Sequence, residues 1–466
     1  MKRILIWFLL IASIPFMSKA QEITGQWNGA LKVSGIQLRL VFHITQTENG
    51  YASTMDSPDQ NAKGIPVTTT LFNNPNLKLE ITNLGVEYDG ILKGRSIEGT
   101  FKQNGLAIPL ALSKDSIAKT VQNRPQEPKK PYPYFEENVS FKNSTAHVTL
   151  AGTLTLPRKE GSYPVAILIS GSGPQNRDEE LLGHKPFLII SDYLTRNGIA
   201  VLRYDDRGTA QSTGNFNSST TVDFASDVES AIAYLKTRKE INSNHIGLIG
   251  HSEGGLIAPM VAAQSKDVSF IVLLAGPGIP GHELVIEQQR LISKASGIPE
   301  NTLDKQLRFN RKLVELVSNA SNMDSLKRIL NSYATEAVKD DPELLPKGIT
   351  PDAYVNLTVS RLATPWMQFF LNYNPVNSLE KVKCAVLALN GENDLQVPAK
   401  DNLEAIRAAF KRSGNKQVTI KHFPKLNHLF QNSKTGAPTE YATIEETFSP
   451  EVLDVMTKWI LSVVNK

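Results

Sequence analysis

The feature that most constrains the fold of this chain is an apolar run that ends in a G-x-S-x-G sequence and is followed by a helical pattern. Ile246 to Ile249 predict a buried strand, Gly250-His-Ser-Glu-Gly254 follows it, and apolar helical spacing begins at Leu256. The two glycines suit a sharp, strained turn, because a Cβ there would clash with the neighbouring chain. Such a turn lifts the hydroxyl of Ser252 above the sheet, at the positive end of the next helix. We therefore predict that Ser252 is a nucleophile.

The length of 466 residues favours more than one domain. Residues 21 to 118 contain runs of period two that predict a separate all-β domain, either a sandwich or a small barrel. The predicted strands are 27–33, 36–46, 67–72, 76–82, 86–92, 96–102 and 106–112. A Pro-rich stretch, residues 119 to 134, predicts an extended linker after this domain.

From residue 135 to 466 the pattern changes to strands that alternate with helices. This alternation predicts a mainly parallel sheet with helices on both faces, which is an α/β fold. Helical patterns alone occupy about 280 to 375, including one predicted helix from Pro351 to Phe370. We expect this insert to form a helical cap over the sheet, because an insertion between two strands is a common origin of a lid.

The first 20 residues have the features of a secretory signal peptide. Basic residues at Lys2 and Arg3 precede an apolar run from Ile4 to Met17, and small residues surround Lys19. We therefore expect an exported protein, with no stable membrane insertion after the segment is removed. Removal would also bring the formal charge of +4 close to zero, so the composition gives no reason to expect binding to nucleic acid.

A serine nucleophile needs a base and an acid that orients the base. Of the eight histidines, His428 follows the last predicted strand in a loop before the final helix, and we predict that it is the base. The acid is expected between the serine and this histidine, in a loop after a strand. Asp394 fits that position, with Glu392 as its rival and a helix N-cap beyond Pro398 as the structural alternative for Asp394.

Backbone N–H groups are expected to bind the oxyanion. The residue after the nucleophile, Glu253, supplies one, and Ser172 supplies the second from the glycine-rich loop Ser170 to Pro174. This loop lacks the lysine and the glycine spacing of phosphate-binding loops, so we predict no nucleotide cofactor. No metal site is predicted either.

Five motifs stand out between residues 135 and 466: Ser170–Asp178, Arg203–Ser212, Gly250–Gly255, Gly391–Asp394 and Asn427-His428. Together they resemble the α/β-hydrolase superfamily, and more narrowly bacterial exported esterases and serine-aminopeptidase-like hydrolases with an N-terminal β-domain. The resemblance covers Glu137 to Lys466. It implies an α/β-hydrolase sheet with a helical cap, and it gives Arg207-Gly208 a structural role. Ser170 stands where the superfamily usually has a histidine.

These observations predict a carboxylesterase for a small acyl ester, in which Ser252 attacks, His428 relays the proton and Asp394 holds the imidazolium. The alternative is a serine peptidase or aminopeptidase with the same three residues and a short peptide as substrate. It would need an acid from the cap to bind an amine, and the candidates are Glu283, Glu287, Glu300, Asp304 and Glu315. A more remote alternative is a non-catalytic binding protein on this fold.

Apolar residues of the cap have two interpretations. Met367, Phe369 and Phe370, beside Trp366, have helical spacing and are expected to form cap core. The alternative is that they line a substrate pocket.

Overall fold

The structure is a computed structural model that describes residues 23–33, 36–60, 62–103, 106–118, 123–346 and 349–465. The predicted signal peptide lies outside the described residues. The chain divides at about residue 120 into two compact units, which are described separately below.

The first unit is a nine-stranded sheet in which the strands follow the order β4-β3-β2-β1-β9-β8-β7-β6-β5. The end strand β5 approaches β3, near the other end of the sheet, because the hydroxyl of Thr70 on β5 donates to the hydroxyl of Ser53 on β3 at 2.9 Å. The sheet is therefore curved towards a barrel. The strands are β1 Gly25–Val33, β2 Ile36–Thr47, β3 Gly50–Ser57, β4 Ala62–Pro66, β5 Thr69–Asn73, β6 Asn76–Ile81, β7 Val86–Lys93, β8 Ser96–Gln103 and β9 Leu106–Ser113.

Two strands of this unit, β3 and β4, are absent from the sequence prediction. The inward positions of β3 are Ser53, Met55 and Ser57, which are buried although two of them are small and polar. Sequence alternation of hydrophobic and polar residues is therefore weak there, and pairing with β2 defines the strand instead. The interior is filled by large side chains such as Trp27, Phe42 and Tyr88.

The second unit contains an eight-stranded sheet in the order β10-β11-β13-β12-β14-β15-β16-β17. β11 pairs antiparallel with β10 and β13. All neighbouring strands in the remaining order β13-β12-β14-β15-β16-β17 pair in parallel. The strands are β10 Phe135–Asn143, β11 Val148–Leu156, β12 Tyr163–Ile169, β13 Ala200–Tyr204, β14 Ile241–His251, β15 Val268–Leu274, β16 Ala385–Gly391 and β17 Val418–Phe423.

Helices cover both faces of this sheet, as the parallel strands require. One apolar core lies against α2, α3 and α10, and a second lies on the opposite face against α1 and α11. These two layers confirm the predicted α/β sheet that follows an all-β domain. The helices are α1 Pro186–Arg196, α2 Thr221–Leu235, α3 Gly254–Ala262, α4 Gly281–Ala295, α5 Glu300–Ser318, α6 Met323–Asp340, α7 Pro351–Leu362, α8 Pro365–Asn372, α9 Val376–Leu379, α10 Ala399–Ser413 and α11 Pro450–Val464.

The insert between β15 and β16 is helical and has its own apolar core, which involves α5 to α8. The prediction of a single helix from Pro351 to Phe370 was wrong, because α7 ends at Leu362 and α8 begins at Pro365. Proline has no N–H to continue the first helix. The hydroxyl of Thr364 instead caps α8 by accepting from the N–H of Met367 at 3.1 Å.

The described part of the Pro-rich stretch, residues 123 to 134, belongs to the second unit. Arg124 donates to the carbonyls of Ile444 and Ala442 at 2.7 and 3.0 Å. Gln126 donates to the carbonyl of Phe448 at 2.7 Å and accepts from the N–H of Thr447 at 2.6 Å. These residues therefore pack against the loop that precedes α11.

Candidate active site

The turn between β14 and α3 holds Ser252 in the left-handed backbone region, with a φ of 52°. A non-glycine residue in this region is strained. A side chain at Gly250 would collide with the backbone of Gly254, and one at Gly254 would collide with the carbonyl of Ile169. The N–H of Ser252 donates to the carbonyl of Leu274 at 2.9 Å, so the end of β15 holds the turn in place. The backbone has the strained strand-to-helix geometry that the sequence predicts for this serine.

His428 and Asp394 are brought together at the ends of β17 and β16. His428 Nδ1 lies 2.9 Å from Asp394 Oδ2, and their side chains are 5% and 0% exposed. The other carboxylate oxygen of Asp394 accepts from the N–H groups of Gln396 and Val397, both at 2.8 Å. An ionised carboxylate only accepts hydrogen bonds, so Nδ1 carries the proton and Nε2 is left with a lone pair.

The rival acid, Glu392, does not contact His428. Its carboxylate lies 3.2 Å from His422 Nε2 on β17, and both side chains are exposed to solvent. The N-cap alternative for Asp394 is wrong as well, because Pro398 is the N-cap residue of α10.

The serine turn and the base loop meet through His251. His251 Nε2 donates to the backbone carbonyl of His428 at 2.9 Å, and the two imidazole rings lie 4.8 Å apart. Within the described residues, Ser252 Oγ has no hydrogen bond. The residue that contacts the His428 loop, His251, is therefore the direct neighbour of the predicted nucleophile in the chain.

The glycine-rich loop after β12 lies beside the serine. A Cβ on Gly171 would come 3.2 Å from the Cβ of Ser252. The N–H of Gly171 donates to Glu179 Oε1 at 2.7 Å and is therefore already engaged. The N–H groups of Ser172 and Glu253 donate to no protein group in the described part of the chain, and Ser172 is exposed. These two N–H groups are free to bind a ligand.

Two carboxylates beside the site, the buried Glu253 and the half-buried Asp206, were not identified from the sequence. Glu253 Oε1 accepts from the hydroxyl of Thr221 and from the indole of Trp366, both at 2.7 Å, and burial raises the pKa of this carboxyl although both donors oppose the rise. Burial also raises the pKa of Asp206 to about 8, against hydrogen bonds from Ser170 and Gln175. Their partners lie far away in sequence, so no local pattern points to these carboxylates.

Arg207 is buried, and its guanidinium forms an ion pair with Asp227, whose Oδ2 lies 2.7 Å from Nε. The partner lies on α2, which this contact joins to the loop after β13. Arg207 is therefore a structural residue, as the family resemblance implies.

The cap meets the site through α4 and α8. Leu284 and Phe370 pack with Leu256 of α3 and Val397 of the Asp394 loop. Trp366 stacks on Phe370 with a ring separation of 5.1 Å. Met367 packs instead against the core of the cap.

The five acids of the cap that were considered for binding an amine are not buried. Glu283, Glu300, Asp304 and Glu315 are exposed. Glu287 is half-buried and forms a hydrogen-bonded ion pair with Arg290 on the same helix.

Among residues 23 to 465 that the structure describes, no group of three or more His, Cys, Asp or Glu side chains is arranged to hold a metal ion. No helix in the same described ranges is long and apolar enough to cross a membrane.

The strand order, the strained serine turn and the buried histidine–aspartate pair define an α/β hydrolase with a helical cap. The family described as serine aminopeptidase, S33 (Hydrolase_4) matches residues 187–434, which is more than half of the chain. The chain belongs to this family, and the predicted resemblance is confirmed.

Individual proteins that resemble this chain are identical to it at only a small fraction of positions. The chain is 26% identical over 333 residues to esterase EstD of Thermotoga maritima, a match that covers 71% of this chain and 70% of EstD. The α/β hydrolase GrgF from Penicillium sp. sh18 is 16% identical, with a TM-score of 0.45 over 71% of this chain and 100% of GrgF. The esterase PF2001 of Pyrococcus furiosus is also 16% identical, with a TM-score of 0.43 over 74% of this chain and 98% of that protein.

Proposed function

We propose that this protein is a serine carboxylesterase that works through an acyl-enzyme. The observation that carries the proposal is the buried 2.9 Å contact between His428 and Asp394 beside the strained turn of Ser252. Ser252 Oγ attacks the ester carbonyl while His428 Nε2 takes its proton, and the same proton then goes to the departing alkoxide. Water repeats the two steps on the acyl-enzyme, and Asp394 stabilises the imidazolium each time.

In this mechanism the N–H groups of Glu253 and Ser172 bind the oxyanion. Both are unengaged in the described part of the chain, whereas the neighbouring N–H of Gly171 is held by Glu179. Glu253 precedes α3, so its N–H also lies at the positive end of that helix. Donors fixed before the reaction stabilise the developing negative charge without reorganisation.

Two observations support an ester rather than a peptide as the substrate. The relative from Thermotoga maritima is named an esterase. In addition, none of the five cap acids considered for an amine is buried and unpaired. The second candidate is an aminopeptidase, which the family description favours. Comparing kcat/KM on a short acyl ester and on an aminoacyl amide separates the two, because only the second candidate requires turnover of the amide.

The direct test of the nucleophile is a fluorophosphonate label combined with Ser252→Ala. We expect the wild type to be labelled and the variant not, with a fall in ester kcat on the order of 10⁶-fold. Ser296→Ala, at the exposed end of α4, is the matched control and should be labelled as the wild type is. Ester turnover by Ser252→Ala comparable to that of the wild type would falsify the mechanism. A folded wild type that resists the label would favour a non-catalytic binding protein on this fold.

We also propose that the protein is exported, to the periplasm or the outside of the cell. The support is the sequence of the first 20 residues, with Lys2 and Arg3 ahead of an apolar run. Mass spectrometry of the mature protein is expected to find a new N-terminus near Gln21. An intact Met1 on the folded, active protein would contradict the proposal.

A further inference from the structure

A second buried histidine–carboxylate pair lies beside the first. His251 precedes the nucleophile, and its Nδ1 lies 2.9 Å from Oε1 of Glu179. Both side chains are less than a tenth exposed. Glu179 is itself strained, with a φ of 49°, in the segment that joins β12 to α1. No step of the proposed mechanism uses this pair.

The hydrogen bonds of this pair determine its protonation state. His251 Nε2 faces the backbone carbonyl of His428 at 2.9 Å, and Nδ1 faces the Glu179 carboxylate. A carbonyl oxygen and an ionised carboxylate both accept, so each ring nitrogen needs a hydrogen. A neutral imidazole has only one N–H, and it would leave one of these buried contacts unmade. With Glu179 ionised, the two contacts therefore require the imidazolium form of His251.

The pair also joins the two halves of the site. Glu179 Oε1 accepts a second hydrogen bond, from the N–H of Gly171 in the oxyanion loop, at 2.7 Å. On the other side, the His251 ring holds the carbonyl of the predicted base. A continuous chain of three hydrogen bonds thus runs from the oxyanion loop to the base loop and passes through His251, the residue before Ser252.

We infer that His251 is held as an imidazolium by Glu179 and that the pair is a positioning device, which keeps the oxyanion loop and the base loop in register around the nucleophile. The inference rests on the proposed function, since positioning matters only if these loops do chemistry. Neither residue has a chemical step in the proposed mechanism. Their effect is on the placement of Ser172 and His428.

The charged groups that face the His251 ring agree with this assignment. They are Glu179 ahead of α1, Asp394 in the loop after β16, and His428, whose ring lies 4.8 Å away. Burial lowers the pKa of His251, but the negative charge of Glu179 and the hydrogen bonds to Glu179 and His428 leave the pKa above the ordinary 6.5. The imidazolium is therefore favoured as pH falls below this raised pKa, and rising pH removes it, together with one of its two hydrogen bonds.

The first experiment reads the protonation state without reference to activity. Nitrogen-15 NMR of histidine-labelled protein, followed through a pH titration, distinguishes a doubly protonated ring from a neutral one and shows whether His251 loses its proton above the ordinary histidine pKa of about 6.5. We expect the His251 signal, identified by its absence from His251→Gln, to change from doubly protonated to neutral at a pH above that value, and to do so at lower pH in Glu179→Gln. A His251 that is already neutral at that value in the folded wild type overturns the inference. Because this readout does not need turnover, it stays valid even if Ser252 proves not to be the nucleophile.

The second experiment tests positioning by kinetics. His251→Gln is expected to lower the kcat for an ester by about 10- to 100-fold with little change in KM, because small displacements of reacting groups reduce the rate by that order. The fall of kcat at alkaline pH that accompanies deprotonation of His251 should also disappear. His422→Gln removes an exposed histidine from a similar pair with Glu392 and is the matched control, with unchanged kcat.

Glu179→Gln keeps an oxygen that can accept from Gly171 and removes only the charge. It should therefore retain more activity than His251→Gln while changing the pH profile in the same way. If thermal unfolding is unchanged and both kcat and the pH profile of His251→Gln match those of the wild type, the positioning role is wrong.

Discussion

Glu392 and Asp394 are two residues apart in one loop, and the structure treats them very differently. Each lies next to a histidine, at 3.2 Å for Glu392 with His422 and 2.9 Å for Asp394 with His428. The first pair is 48% and 61% exposed, whereas the second is almost fully buried. Asp394 also accepts two backbone N–H groups, which fix its orientation. Contact with a histidine is therefore not enough, because water competes for an exposed carboxylate and a buried one must be held by the protein.

Glu253 extends this comparison to a buried carboxylate without a histidine. Its donors are the hydroxyl of Thr221 and the indole of Trp366, which reaches it from the cap. The same type of group thus contacts the proposed base in one place and joins the cap to the serine turn in another. The hydrogen-bond partners of a buried carboxylate determine which of these two roles it has.

Among variants of these carboxylates and their partners, the largest expected effect comes from Asp394→Asn. The asparagine can present its NH₂ group to His428 Nδ1, which then favours the tautomer with the proton on Nε2, where it cannot accept from Ser252. We expect the ester kcat to fall on the order of 10⁴-fold with the fold retained, as measured by steady-state kinetics and thermal unfolding. A loss below about tenfold would mean that another group orients His428.

An intermediate effect is expected from Trp366→Phe. Phenylalanine preserves the stacking on Phe370 but leaves Glu253 without one of its two donors in a buried place. A buried acceptor that loses its partner is destabilised by about 1–3 kcal/mol, so we expect kcat/KM to fall by roughly tenfold if the contact holds the cap on the serine turn. Trp459→Phe is the control, because its indole donates to the hydroxyl of Thr419 on β17. Equal effects of the two variants would contradict a specific role for Trp366.

The smallest effect is expected from Glu392→Gln. The variant removes an exposed charge whose partner, His422, lies mostly in water, so kcat/KM should change by about twofold or less. The measurement is the same ester assay at neutral pH. If this variant were as damaging as Asp394→Asn, the two acids of the loop would have to exchange roles.

Local sequence predicted the parts of the site that depend on local backbone geometry. The turn of Ser252 follows from a strand, two glycines and a helix that are contiguous in the chain, and the loops of Asp394 and His428 follow recognisable strands. Contacts between distant segments were not predictable in this way. Glu179 lies 72 residues from His251, and Trp366 lies 113 residues from Glu253. Only the packing of the sheet and the cap brings these groups together.

Two features of the fold were also missed because the sequence pattern alone does not show them. The strand β3 has serines at inward positions, so its place depends on pairing with β2 and not on its own hydrophobicity. The break between α7 and α8 was missed because the apolar spacing continues across Pro365, although the backbone does not.

The Pro-rich segment limits where the N-terminal domain of this protein can be exchanged for another domain. By strand pattern alone, a natural point at which to exchange the N-terminal domain is Tyr134, just ahead of β10. Such a junction would remove Arg124 and Gln126, which hold the loop from Ala442 to Phe448, and the ring of Phe448 packs on Phe430 two residues beyond His428. The second unit of this hydrolase therefore begins before β10. A recombined gene that keeps the whole eight-stranded sheet but starts at Tyr134 still loses contacts that support the loop of His428.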